Sequence, residues 1–160
     1  MAQMMNQVGV TPKSLHQKWQ FGVEIDGFEA ALFTKAALPE FEFDEVKFSP
    51  GGAIYDQKAA GRVKFSDTTL EMGKPQKAGG DALLDWVKQC ADFLQNAGEV
   101  PDTYLKTVDI VCYDRSGREF ERYRLHGAWI KSAKLGDLEG GSSDNTIQSM
   151  TICYNYFTKE

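Results

Sequence analysis

His16 and His126, the cysteines Cys90, Cys112 and Cys153, and the close-set carboxylates Glu40, Glu42, Asp44 and Glu45 are the residues of this 160-residue chain whose types suit chemistry. A zinc site draws Cys, His or carboxylate ligands at short, characteristic spacings, and neither histidine has such a companion in sequence. No serine stands in a nucleophile-elbow sequence, and no cysteine has a histidine near it along the chain. The cysteines are scattered and odd in number, which suits small buried apolar residues in a reducing cytoplasm better than a disulfide framework. The glycine pairs Gly51-Gly52, Gly79-Gly80 and Gly140-Gly141 extend to no phosphate-binding sequence and read as turns. No catalytic group, metal or cofactor is therefore expected. Glu40, Glu42 and Asp44 share one parity, so on a strand they line one face, with Phe41 and Phe43 on the other. Three readings are open for that acidic row: a solvated sheet face, a wall along a passage, or a catalytic or cation-binding pair.

The elements that would position these residues are mostly strands. Residues 1–18 are polar, contain Pro12, lack a sustained period and read as a loosely ordered arm. From Trp19 the pattern alternates, with Trp19, Phe21, Val23 and Ile25 against Gln20, Gly22, Glu24 and Asp26, and Asp26-Gly27 is a hairpin-turn signal. The stretch 28–38 is ambiguous between strand and helical turn. In PEFEFDEVKFSPGG, Phe41 and Phe43 fall on one parity and Val46 and Phe48 on the other. One extra residue near Asp44-Glu45, a β-bulge, would bring all four apolar side chains to one face. Residues 51–62 read as a loop too long for an ordinary hairpin, with Gly51, Gly52, Ile54, Tyr55, Asp56 and Lys58 as a candidate contact for another molecule. A helix is predicted over 81–96, with Asp81 as N-cap, Gly98 as C-cap, Pro101 beyond, and an apolar stripe of Leu83, Trp86, Val87, Cys90, Phe93 and Leu94. The last third returns to β, with a turn at 114–117 and a closing strand whose Met150, Ile152, Tyr154 and Tyr156 share a face. The sum is a mostly β domain over 1–160, a sandwich or partly open barrel with one helix packed on it, and Trp86, Phe41 and Phe43 as its structural core.

Hydrophobic residues make up 42% and charged residues 26%, ordinary values for a globular chain. The formal charge of −5 disfavours a sequence-independent nucleic-acid binder, which needs clustered Lys and Arg. The first residues show no basic segment followed by an apolar core, so no signal peptide is expected, and no apolar run reaches the ~20 residues that span a bilayer.

Taken in order, five segments resemble the tail tube protein family of contractile-tailed phages and the inner tubes of phage-like injection particles: FGVEIDG at 21–27, LPEFEFDEVKFSPGG at 38–52, GRVKFSDTTLEMG at 61–73, LLDWV at 83–87, and HGAWIKSAKLGDLEGGSSDNTIQSMTICYNYF at 126–157. Two positions depart from the pattern. Glu71-Met72 stands where family members often carry a basic residue, and Trp129-Ile130 where they often carry Trp-Pro.

The resemblance implies a non-enzymatic structural subunit whose copies form rings, hexameric by analogy, that stack into a hollow tube, with strands of neighbouring copies joining into one large barrel. It implies sheath, baseplate and tail terminator proteins as partners, and DNA or protein effectors passing through the lumen without specific binding. The setting it implies is a virion tail or injection particle assembled in the bacterial cytoplasm. Glu40, Glu42 and Asp44 are then candidates for the lumen wall, where acidic groups would repel phosphates. Two other readings stand beside it: a small-ligand-binding β-barrel, which would need an apolar cavity with convergent polar groups, and the secreted tube protein of a type VI secretion system.

Overall fold

The computed structural model describes residues 15–28, 32–76, 82–91, 98 and 104–160. The N-terminal arm up to residue 14, Asp81, the predicted helix beyond Ala91 and Pro101 lie outside the described residues. Along the chain the elements are β1 (Phe21–Ile25), β2 (Phe33–Ala36), β3 (Phe41–Phe48), β4 (Gln57–Phe65), β5 (Thr68–Gly73), α1 (Ala82–Cys90), β6 (Lys106–Tyr113), β7 (Glu119–Lys134), β8 (Ile147–Cys153) and β9 (Tyr156–Lys159). The ambiguous stretch 28–38 thus contains a short strand.

Seven strands make one antiparallel sheet in the order β1-β6-β7-β8-β5-β2, with β9 also on β7. The 16-residue β7 holds it together: its first half pairs with β6 and β9, its second half with β8. Between the halves Gly127 takes φ +66, a left-handed conformation natural only to glycine, and a Cβ there would run into the Asn155 side chain. The chain turns a corner at this point, and the sheet curls over its own core. β1 and β2 are its edges and are not joined to each other, so the barrel stays open.

The curl is filled from alternate positions of the strands. Val23 and Ile25 of β1, Leu70 and Met72 of β5, Val108 and Ile110 of β6, Leu125 of β7, and Met150 and Ile152 of β8 are buried. Helix α1 closes the cluster with Leu83 and Trp86, the residues of the predicted apolar stripe that lie deepest. Trp86 is 1% exposed, meets Phe28 edge-to-face at 5.9 Å and donates its indole N–H to the Tyr104 carbonyl oxygen at 2.8 Å. Its place in the core agrees with the pattern read from sequence.

Four readings are corrected. Asp26-Gly27 is a turn, with Gly27 at φ +87, but the strand before it pairs with β6 in the register Phe21↔Cys112 and forms no hairpin with its successor. Trp19 precedes β1 and is 71% exposed. Tyr156 does not continue the buried face of β8: the chain breaks at Tyr154-Asn155, and Tyr156 stacks on His126 at 4.6 Å on the surface. Residues 51–62 are not one loop, because β4 begins at Gln57 and pairs along the whole of β3, leaving only 49–56 as the connection.

Candidate assembly surface

The hairpin β3–β4 stands apart as its own two-stranded sheet. Its root is fastened to the body by aromatic contacts: Phe41 lies 6.0 Å from Phe157, and Phe65 lies 5.6 Å from Phe157 and 6.0 Å from Tyr154. Beyond the root no residue of β3 is buried. Phe41 and Phe43, expected in the core, are 55% and 54% exposed, because the strand they sit on leaves the main sheet and only the edge of its apolar face reaches the body. Val46, Phe48 and Tyr55 are exposed as well, and Ile54 at the tip is completely so. Single exposed apolar residues are ordinary, but so many on one projecting element make it the candidate contact surface.

The charges on the hairpin are largely paired with one another. Lys64 sits 3.0 Å from Asp44 and directly opposite Glu42, Lys58 lies 3.7 Å from Glu45, and Lys47 lies 3.8 Å from Asp56. The Asp44 hydrogen bond and charge raise the Lys64 pKa above the ordinary lysine value. The structure therefore brings Glu42 and Asp44 onto one face as expected, but with a lysine between them. Glu40 lies just before β3, where its carbonyl oxygen accepts the Ser66 N–H at 3.0 Å. Gly51 and Gly52 form the tight turn, Gly52 at φ +80, and the Ser49 hydroxyl donates to Asp56 at 2.6 Å across its mouth.

A second polar surface covers the outer face of β1, β6 and β7, and sequence reading missed it because its members come from distant strands. Arg122 donates to Asp109 at 2.6 Å, Glu24 at 2.7 Å and Glu119 at 2.7 Å, while Arg124 reaches Asp109 at 3.1 Å and Glu160 at 2.8 Å. Parity puts Glu24, Asp109, Arg122 and Arg124 on the face opposite Val23, Val108 and Leu125, while Glu119 joins them past the register shift at Cys112/Tyr113, so the pairing depends on register. The Glu119, Glu24 and Asp109 partners raise the Arg122 pKa further above its ordinary value, and Arg122 in turn lowers that of Glu119. The paired charges tie β1, β6, β7 and the end of the chain together.

The histidines are engaged locally. His16 Nε2 lies 2.8 Å from the Gln20 carbonyl oxygen with its ring edge-on to Phe120, and His126 Nε2 lies 2.9 Å from the Thr158 hydroxyl. Among the described residues no three His, Cys, Asp or Glu side chains gather as metal ligands would. All three cysteines are free thiols, and burial pushes each thiol pKa up, away from the reactive thiolate. The interior, where a small-ligand barrel would keep its cavity, is occupied by Trp86, Leu70, Ile110, Leu125 and Met150. A depression of about 670 Å³ lies outside it against Glu24, Asp109, Arg124 and His126.

A curled open sheet with unjoined edges, a filled interior and a projecting apolar hairpin defines a structural building block of the tube-forming class. The chain matches the model of the T4-like virus tail tube protein gp19 over residues 17–158, and it belongs to that family. A search of curated protein sequences gives no match. Among solved structures, the anti-feeding prophage tube-terminating cap superposes with a TM-score of 0.75 at 20% identity, over 94% of each chain. The sheath–tube complex of the extracellular contractile injection system PVC, in its extended state, gives 0.72 at 18% identity, over 97% of this chain and 96% of that one. Hcp1 from Flavobacterium johnsoniae gives 0.51 at 9% identity, over 88% and 94%. At these identities the likenesses establish a shared fold, and the family match carries the function: this is a tail tube protein of phage-like particles.

Proposed function

We propose that this tail tube protein is a non-catalytic subunit whose copies join into six-membered rings, and that the rings stack into a hollow conduit for DNA or protein effectors. The observation that carries this reading is the β3–β4 hairpin, which projects a row of apolar residues that stay exposed among the described residues. The unjoined edges of β1 and β2 add a second demand, since free strand edges are normally protected or paired. Joined from copy to copy, the sheets would close into one large barrel. The turn at Gly51, Gly52, Ile54, Tyr55 and Asp56, with Lys58 at the start of β4, is the stacking contact between rings. The root half of the face bearing Glu42 and Asp44, with Glu40 beside it, lines the lumen, where its charge is moderated by Lys64.

Sheath, baseplate and terminator proteins are the further partners, and assembly takes place in the bacterial cytoplasm before the particle is complete. The Hcp-like fold leaves room for a tube secreted by a type VI system, which would use the same subunit contacts. Electron microscopy of purified protein tests the reading. Rings and tubes of uniform width with six subunits per turn are expected, and protein that stays monomeric at high concentration overturns it.

A further inference from the structure

The two strands of the hairpin are joined by a register shift that changes what each face carries. Phe41 pairs with Phe65 and Phe43 with Val63, but Glu45 pairs with Ala60, Val46 with Ala59, Lys47 with Lys58 and Phe48 with Gln57. Between Phe43 and Glu45 only Asp44 intervenes, while Gly61 and Arg62 both lie between Ala60 and Val63. A bulge does stand opposite Asp44, as the phase of the sequence suggested, but its extra residue belongs to β4. Alternation in β3 therefore runs unbroken, and Val46 and Phe48 remain on the face opposite Phe41 and Phe43.

The hairpin is consequently two-faced in opposite senses along its length. Near the root, Phe41, Phe43, Val63 and Phe65 share the face that meets Phe157 and Tyr154 of the body. Past the bulge that same face carries Glu45, Lys47 and Lys58, and the Lys58–Glu45 and Lys47–Asp56 ion pairs. The apolar side chains have crossed to the other face, where Val46 and Phe48 stand beside Ala59, 55% and 63% exposed for the two larger ones. A strand pair with ions on one side and apolar groups on the other is the pattern of a half-buried sheet. The described body meets the hairpin on the opposite face and leaves this strip uncovered.

We infer that the bulge at Gly61–Arg62 is a register device that turns the outer half of the hairpin into a docking face for a second copy of this chain. The inference rests on the tube-assembly reading above and names the surface that reading requires. Without the extra residue Ala60 would pair with Val46 and Lys58 with Phe48, placing an ammonium group in the apolar strip and dissolving the Lys58–Glu45 pair, because a one-residue slip exchanges the faces of a strand. Gly61 is what permits the bulge: a Cβ there would lie 2.8 Å from the Asp44 carbonyl oxygen and 3.2 Å from Val46 Cγ2. The first of these is backbone and cannot swing away. A second copy is the fitting partner, since the proposed tube of this tail tube protein sets many copies of the same chain against one another, and the strip carries no charge to select a partner of another kind.

The test compares polymerisation of the wild type, Gly61→Val, the pair Val46→Lys with Phe48→Lys, and Ala60→Glu on the charged face, by pelleting and electron microscopy. Circular dichroism and thermal melting of dilute protein establish that each variant retains the body fold. The bulge and strip variants should raise the concentration needed for polymer by at least about tenfold, equivalent to one subunit contact weakened by roughly 1.4 kcal/mol, while Ala60→Glu polymerises as the wild type does. Wild type that forms no polymer removes the tube reading and this inference with it. Wild type that polymerises together with the Val46/Phe48 lysine variant removes the inference alone, and so does a Gly61→Val protein that is folded and polymerises normally.

Discussion

Trp86 of the helix and Tyr104, which precedes β6, are tied by a hydrogen bond from the indole N–H to the carbonyl oxygen at 2.8 Å, inside a cluster that leaves the ring 1% exposed. The bond satisfies the one polar atom of the largest buried side chain and fixes the helix over the mouth of the curled sheet. The Lys106 ammonium lies over the same ring, 5.5 Å from its centroid, so one face of the indole is covered by a cation–π contact.

Removing that ring should be among the most damaging single changes in the chain. Trp86→Ala is expected to cost about 3–5 kcal/mol, the range for emptying a buried aromatic site. Trp86→Phe keeps much of the volume but leaves the Tyr104 carbonyl without its donor, at about 1–2 kcal/mol. Denaturant melts of an assembly-blocked variant measure both, and a loss below about 1 kcal/mol for the alanine variant contradicts the packing described.

Arg122 has a side chain 17% exposed and holds three carboxylates, of which Asp109 is the most buried at 13%. Arg122→Ala leaves Asp109 with Arg124 alone and is expected to cost about 2 kcal/mol, below the cost of breaking a wholly buried pair because Glu24 and Glu119 can turn to water. The same contact sets an acid dependence. Glu119 titrates lower in the folded protein than in the unfolded chain, chiefly through its hydrogen bond from Arg122. Its stabilising contribution is therefore complete above the ordinary glutamate range and is lost as pH falls through the depressed folded value. Stability measured from neutral pH into acid should fall less steeply in Arg122→Ala than in the wild type.

Ile54 and Tyr55 at the hairpin tip are expected to act between rings. Replacing both by Asp leaves the pairing of β3 with β4 untouched and should leave folding unchanged. Particles should shorten to single rings or short stacks, read by electron microscopy as a length distribution. Tubes of normal length would mean that the tip faces solvent in the assembly.

Glu40, Glu42 and Asp44 changed together to Lys should reverse the charge of the proposed lumen wall. Asp44 also loses its partner Lys64, but that pair is exposed and screened by solvent, so assembly should persist. The variant tube is expected to retain DNA at low ionic strength and release it as salt rises, as contacts to phosphate do. Retention measured by filter binding at two salt concentrations checks this, and density placing these side chains on the outer wall refutes it.

Alternation in the segments around Val23 and Ile152 was enough to identify those strands and their buried faces, and the segments around Val108 and Leu125 read as β, since side-chain parity is a local property of an extended backbone. The helix carrying Leu83 and Trp86 was equally legible from its spacing, and the order of five weak segments pointed to the family. The phase break between Phe43 and Val46 pointed to an extra residue in β3 near Asp44-Glu45, but β3 alternates unbroken and the extra residue lies in β4, because its place depends on the partner strand and on the room that Gly61 leaves beside Asp44. Exposure was illegible for the same reason. Phe41 and Phe43 have the alternation of core residues, and only the departure of β3 from the main sheet leaves them half in solvent. The Arg122 lattice joins residues from β1, β6 and β7, whose meeting is decided by long-range register: parity determines which face a side chain takes, and the tertiary structure determines what it meets there.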